Sequence, residues 1–121
     1  MDLATKLQLR PGQGVELTGI NSGSVSALHD LPAADLAVPD APEAALVAFV
    51  TDRAALGDHL ADVVTAASAD RLTWVAYPKS GQLGTDLNRD SLAALLTAQG
   101  VRPVRQVSID DVWSALRFRP G

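Results

Sequence analysis

Lys79 is the residue whose position most invites chemistry. It follows the apolar run Leu72-Thr73-Trp74-Val75-Ala76-Tyr77 and then Pro78. A strand over that run delivers a positive charge to its own carboxyl end, where an anionic group can meet it as a point charge. Polar residues follow the other apolar runs as well. Asn21 and Ser22 come after Gly14-Val15-Glu16-Leu17-Thr18-Gly19-Ile20; Thr51, Asp52 and Arg53 come after Ala45-Leu46-Val47-Ala48-Phe49-Val50. Ser80, Thr85 and Asp86 extend the loop behind Lys79, and Asp110 and Asp111 fill a later turn. Open α/β sheets bind ligands beyond the carboxyl ends of their strands. If these runs lie side by side and point the same way, the ligand-binding set is Asn21, Ser22, Thr51, Asp52, Lys79, Ser80, Thr85 and Asp86. Such a rim of mixed charge over an apolar sheet suits a small anionic or nucleotide-like ligand. A plainer role competes at each position. Asn21, Ser22 and Thr51 are ordinary helix caps, Asp110-Asp111 is common turn composition, and the polar loop with Gly81 and Gly84 either closes over a ligand or merely connects.

Several chemistries are excluded. The chain has no cysteine, which removes disulfides, thiolate catalysis and cysteine-based zinc sites together. Its two histidines, His29 and His59, fall on separate predicted helices facing water, so no metal site is assigned. No P-loop or nucleophile elbow is present, and no catalytic residue is assigned. The segment Glu16 to Gly23 carries two irregularly spaced glycines where a dinucleotide turn needs three. Asp40 stands where a ribose-binding acid belongs, but alone it identifies no cofactor. Tyr77 and Lys79 share residue types with the pair used by short-chain dehydrogenases. That pair sits one helical turn apart, whereas here a proline separates the two at a strand end, so the likeness is rejected.

The net charge is −4. Nucleic-acid binding is therefore not expected, because phosphate neutralisation dominates that affinity. The basic residues do cluster late in the chain, at Arg102, Arg105, Arg117 and Arg119; a strip of this kind can serve a partner, or can block unwanted strand pairing at an edge. No apolar stretch reaches the roughly 20 residues that cross a bilayer. Met1 to Lys6 puts no apolar run behind a basic start, so no secretory leader is expected and a cytoplasmic location is.

The elements that must position these residues follow from periodicity. The 121 residues fit a single domain over 1–121. Ala4 to Leu9 suggests one helical turn, Asn21-Ser22-Gly23-Ser24 caps a short helix, and Leu36-Ala37-Val38 is a weak strand. Thr51 or Asp52 caps a helix to about Ala69, with Leu56, Leu60, Val63, Val64 and Ala67 on one stripe. A second helix spans about Arg89 to Gln99. Asn88 is its N-cap, Gly100 its C′ residue, Leu87 and Leu92 its hydrophobic staple, and Leu92, Leu95 and Leu96 its buried face. The last residues predict a hairpin: Val101 to Ile109, the tip Asp110-Asp111, and Val112 to Arg119. Leu116 and Phe118 point one way and Arg117 and Arg119 the other. Pro103 puts the first arm at a sheet edge. Trp74 and Trp113 are core residues by their apolar neighbours.

Strands alternating with helices predict an α/β fold, a three-layer Rossmann-like domain with a mostly parallel sheet of about five to six strands and a C-terminal antiparallel β-hairpin. The hairpin after the last helix resembles the tail of Rossmann-like methyltransferases. The 24 residues between Ile20 and Ala45 are too few for two βαβ units of roughly 30 residues each, so the first half is truncated. The strings Trp74-Val75-Ala76-Tyr77-Pro78-Lys79, Thr85-Asp86-Leu87-Asn88-Arg89-Asp90 and Val107 to Phe118 resemble a family of small bacterial proteins of unknown function. That resemblance implies the fold and a bacterial cytoplasmic origin, and transfers no site residue. Three functions are open: a non-catalytic domain binding a small anionic or nucleotide-like ligand, an S-adenosylmethionine-dependent methyltransferase-like enzyme, or a homo-oligomeric interaction protein such as a homodimer.

Overall fold

The computed structural model of the chain describes residues 6–9, 15–18, 45–79 and 81–121. The predicted short helix after Asn21 and the strand Leu36 to Val38 lie outside them. Among the described residues five strands form one sheet: β1 (Val15–Thr18), β2 (Ala45–Phe49), β3 (Thr73–Pro78), β4 (Val101–Ser108) and β5 (Trp113–Pro120). Helix α1 (Arg53–Ser68) joins β2 to β3, and a 3₁₀ turn (Gln82–Gly84) and helix α2 (Arg89–Thr97) join β3 to β4. The order across the sheet is β1-β2-β3-β5-β4. β1 pairs parallel with β2, with Leu17 opposite Val47, and β2 pairs parallel with β3, with Val47 opposite Trp74. β5 then runs antiparallel to both β3 and β4.

This arrangement corrects the expected fold class. The sheet is mixed, because the return arm of the hairpin inserts between β3 and β4 and makes two of the four strand pairings antiparallel. Among the described residues helices form a single layer. Both described helices pack on one face, where Leu56, Val63, Ala67, Leu92 and Leu96 meet Leu46, Ala48, Val75, Leu116 and Phe118. Among the described residues the other face is covered by no long helix. Leu7, Leu9, Ile109, Val112 and Trp113 cover Val47, Phe49, Trp74 and Ala115 there. A strand buried on both sides reads the same whether helices or aromatic loops cover it. β2 and β3 are buried at every position, and the sequence offers no way to tell the covers apart.

Two aromatic anchors organise the loop-covered face. Trp74 is fully buried and its Nε1 donates to the Leu7 carbonyl at 2.9 Å, tying the N-terminal turn to the sheet. Phe49 and Trp113 meet edge to face with ring centroids 5.4 Å apart, a favoured aromatic geometry.

The helices begin and end for local reasons. Asp52 caps α1, accepting from the Ala55 amide at 2.8 Å. Past the C-terminus of α1, Asp70 adopts φ +59. Its amide donates to Ala67 O and that of Arg71 to Ala66 O, both at 3.0 Å. This is a Schellman pairing with aspartate in the left-handed position that glycine usually takes. The turn sets the Asp70 carboxylate against the Arg119 guanidinium, with two contacts of 3.0 Å. Arg119 holds the Asp70 carboxyl below its ordinary 3.8. In α2, Leu87 and Leu92 are buried in one cluster, as a hydrophobic staple requires, and Gly100 takes φ +93 past its end. Leu95, expected in the core, is 37% exposed. His59 is half-buried, its Nδ1 3.4 Å from Thr18 Oγ1, rather than turned to water. β4 is an edge strand, and its register shifts between Pro103 and Arg105. Proline, a bulge and exposed arginines are the usual means of preventing a further strand from adding there.

Candidate functional site

An open cleft of about 340 Å³ lies beside the carboxyl end of β3 on the helix-covered face. It is lined by Tyr77, Lys79, Asn88, Arg89, Asp90, Gln106 and Ser114. Sheet register builds its floor. Tyr77 lies near the end of β3 and Lys79 directly follows the strand, and both line the cleft. Ser114 lies opposite Tyr77 across the β3–β5 pair. Gln106 reaches over from β4 and its Nε2 donates to Tyr77 Oη at 3.0 Å. Tyr77 and Ser114 are 2% and 5% exposed, so the floor is polar atoms set into core.

Two cations stand at the walls. Lys79 is fixed by its backbone, whose amide donates to Val112 O at 2.6 Å, and by its Nζ, which donates to Ser108 Oγ at 2.8 Å. Arg89 opens α2, which begins with a reciprocal capping box. Asn88 Oδ1 accepts from the Ser91 amide at 2.8 Å, and Ser91 Oγ accepts from the Asn88 amide at 3.0 Å. The box fixes the direction of the helix N-terminus, where the backbone dipole favours negative charge. Arg89 also approaches Asp90 at 3.4 Å, but the two side chains are 53% and 92% exposed. A pair that open to water restrains arginine weakly.

Burial pushes the Tyr77 phenol above its ordinary 10.0, opposed by the charge of Arg89 and by hydrogen bonds from Gln106 and Ser114. The phenol therefore stays protonated through neutral pH as a donor. A raised pKa in the folded state contributes stability that is complete below 10.0 and is lost as pH rises through the folded value. Tyr77 is the chain's one tyrosine, so phenolate absorbance reports it alone. Native protein is expected to titrate above pH 10.0, and denatured protein at about the ordinary value. Coincident native and denatured curves would contradict a buried phenol.

The predicted site residues divide between this cleft and a second cluster. Lys79 lines the cleft. Asp52 and Asp86 instead share the N-terminus of α1: Asp52 accepts from the Ala55 amide, and Asp86 Oδ1 accepts from the Arg53 amide at 2.9 Å. Thr85 Oγ1 accepts from the Leu87 amide at 3.1 Å, closing the turn before α2. Thr51 is half-buried at the bend into α1. Asn21, Ser22 and Ser80 lie outside the described residues. Sequence reasoning missed Tyr77, Arg89, Gln106 and Ser114 as site residues. One signal was available, since a tyrosine two places before Lys79 stands at the same strand end. Gln106 and Ser114 give no comparable sign, because their meeting depends on the hairpin register.

Among the described residues no group of histidine, aspartate and glutamate side chains forms a metal site, and no helix is long and apolar enough to cross a membrane. The chain matches no family model, no curated protein and no solved structure.

Proposed function

We propose that the cleft binds a small ligand carrying a single oxyanion group, a phosphate monoester or a carboxylate. The observation that carries this reading is the convergence of Lys79 and Arg89 with the N-terminal turn of α2 on one cleft. The floor of that cleft offers a phenol, an amide and a hydroxyl. The volume falls at the small end of ligand pockets, about 300–1,000 Å³. Arg89 supplies a planar fork for an oxyanion, Lys79 a point charge, and the helix terminus a favourable dipole. The Tyr77 hydroxyl and the Gln106 amide orient the remainder of the ligand. The reading is one of binding.

The test is calorimetry with orthophosphate and glycerol phosphate at low ionic strength. Binding is expected with Kd below about 1 mM. Arg89→Ala is expected to weaken it by at least about tenfold, since hydrogen bonds to charged groups contribute roughly 1.5–3 kcal/mol. Lys79→Ala weakens it less, because its ammonium is already bonded to Ser108. Absence of binding at millimolar ligand, or equal affinity in Arg89→Ala, overturns the reading.

A further inference from the structure

The opposite face of the sheet carries a second concentration of positive charge that the cleft does not use. In β4 and β5, Arg102 lies directly across from Arg119, and Arg105 directly across from Arg117. Cross-strand partners project to the same side, so four guanidinium groups occupy one patch as two facing pairs. Like charges placed directly opposite destabilise a sheet. The chain as a whole is acidic, at −4, and four of its ten lysines and arginines are gathered here. General basic composition therefore does not account for the patch.

Among the described residues the patch is neutralised only in part. Asp70 forms its paired contacts with Arg119. Arg117 Nη1 donates to the neutral Gln8 Oε1 at 2.7 Å, and Arg102 Nε donates to Pro120 O at 3.1 Å. Arg117 Nε is buried and makes no hydrogen bond among the described residues. A buried, unsatisfied donor of this kind requires an explanation, and an ion is one of the standard ones. Burial and the neighbouring Arg119 and Arg105 charges hold the Arg117 pKa below its ordinary value. The backbone carries a further sign. Among the described residues, the non-glycine positions with positive φ are Gln8, at +60, and Asp70, at +59. These are the two residues that hold Arg117 and Arg119.

We propose that the arginine face of the β4–β5 hairpin binds a diphosphate group, free or esterified, with Arg105 and Arg117 as its principal clamp and Arg102 and Arg119 completing the neutralisation. Guanidinium forks match phosphoryl oxygens in pairs, and two facing pairs suit two linked phosphoryl groups better than one. The ligand would also turn the repulsion across each pair into attraction. Arg102 and Arg105 are exposed, so replacing them leaves the core untouched.

The proposal is tested by calorimetry in a Lys79→Ala/Arg89→Ala background, which silences the cleft. Pyrophosphate is expected to bind this protein with one-to-one stoichiometry, and at least about tenfold more tightly than orthophosphate. Adding Arg102→Ala and Arg105→Ala is expected to weaken pyrophosphate by at least about tenfold with an unchanged melting temperature. ADP that binds as tightly as pyrophosphate assigns an esterified diphosphate; weaker ADP assigns the free ion. Absence of pyrophosphate binding, equal affinity for orthophosphate, or equal affinity after the two hairpin substitutions overturns the proposal. So does a single-stranded oligonucleotide that binds more tightly than pyrophosphate.

Discussion

Trp74→Ala is expected to lower the unfolding free energy by about 3–5 kcal/mol, read as a fall in the denaturant midpoint. Three contributions set the size. The indole is fully buried, so its removal forfeits apolar transfer energy and leaves a cavity between β2 and β5. The Leu7 carbonyl loses the donor it accepts from at 2.9 Å. The turn over residues 6–9 then loses one of the hydrogen bonds that tie it to the sheet, and the cover it gives Val15 and Val47 is loosened. Small domains have about 5–15 kcal/mol in total, so a loss of this size removes a large fraction of the stability. Trp74→Phe separates the contributions. It keeps most of the bulk and removes the donor, and is expected to cost about 1–3 kcal/mol, the penalty of an unsatisfied buried acceptor. A midpoint unchanged in Trp74→Ala would show that the loop-covered face is not a packed core.

The second large effect concerns the other cluster of predicted site residues. Asp52→Ala combined with Asp86→Ala is expected to destabilise the protein by about 2 kcal/mol while leaving oxyanion affinity in the cleft unchanged. Each carboxylate satisfies a different orphan amide at the start of α1, Ala55 for Asp52 and Arg53 for Asp86. Removal of an N-cap costs about 0.5–2 kcal/mol, and Asp86 adds a tie between this terminus and the segment leading into α2. The same oxygens stand where the sequence suggested a ligand. Thermal unfolding and calorimetry on one double variant distinguish the roles: lost stability with retained binding supports capping, and lost binding with retained stability supports a ligand contact.

These two cases show what was legible in the sequence. Local periodicity marked α1 and α2 closely, because a stripe such as Leu56, Leu60, Val63 and Ala67 and caps such as Asp52 and Asn88 are local signals. Pro103 marked the edge strand, since it cannot donate within a ladder. The parallel pairing of the strands around Val15, Val47 and Val75 also follows from their alternation with helices, and it brings Lys79 to the rim. The class of the sheet did not follow. Insertion of the hairpin's return arm beside its neighbour, suggested by the methyltransferase-tail resemblance alone, is decided by long-range pairing, here Val75 against Leu116 and Val107 against Ala115. That pairing made the sheet mixed and brought Gln106 and Ser114 to Tyr77. For the same reason the proposed cleft lies on the flank of β3, beside the predicted rim. Asp52, Thr85 and Asp86 have the composition of a ligand rim and of helix caps alike, and only the positions of the amides they meet separate the two.

Under the proposed function a small oxyanion sits between Arg89 and Lys79 at the N-terminus of α2. The most direct measurement is an NMR titration of ¹⁵N-labelled protein with glycerol phosphate. The backbone amides of Arg89 and Asp90 and the side-chain amide of Gln106 are expected to shift together, on one saturating curve. Shifts centred on Ala55, Arg53 and Asp86 at the start of α1, with Arg89 and Gln106 unmoved, would contradict it.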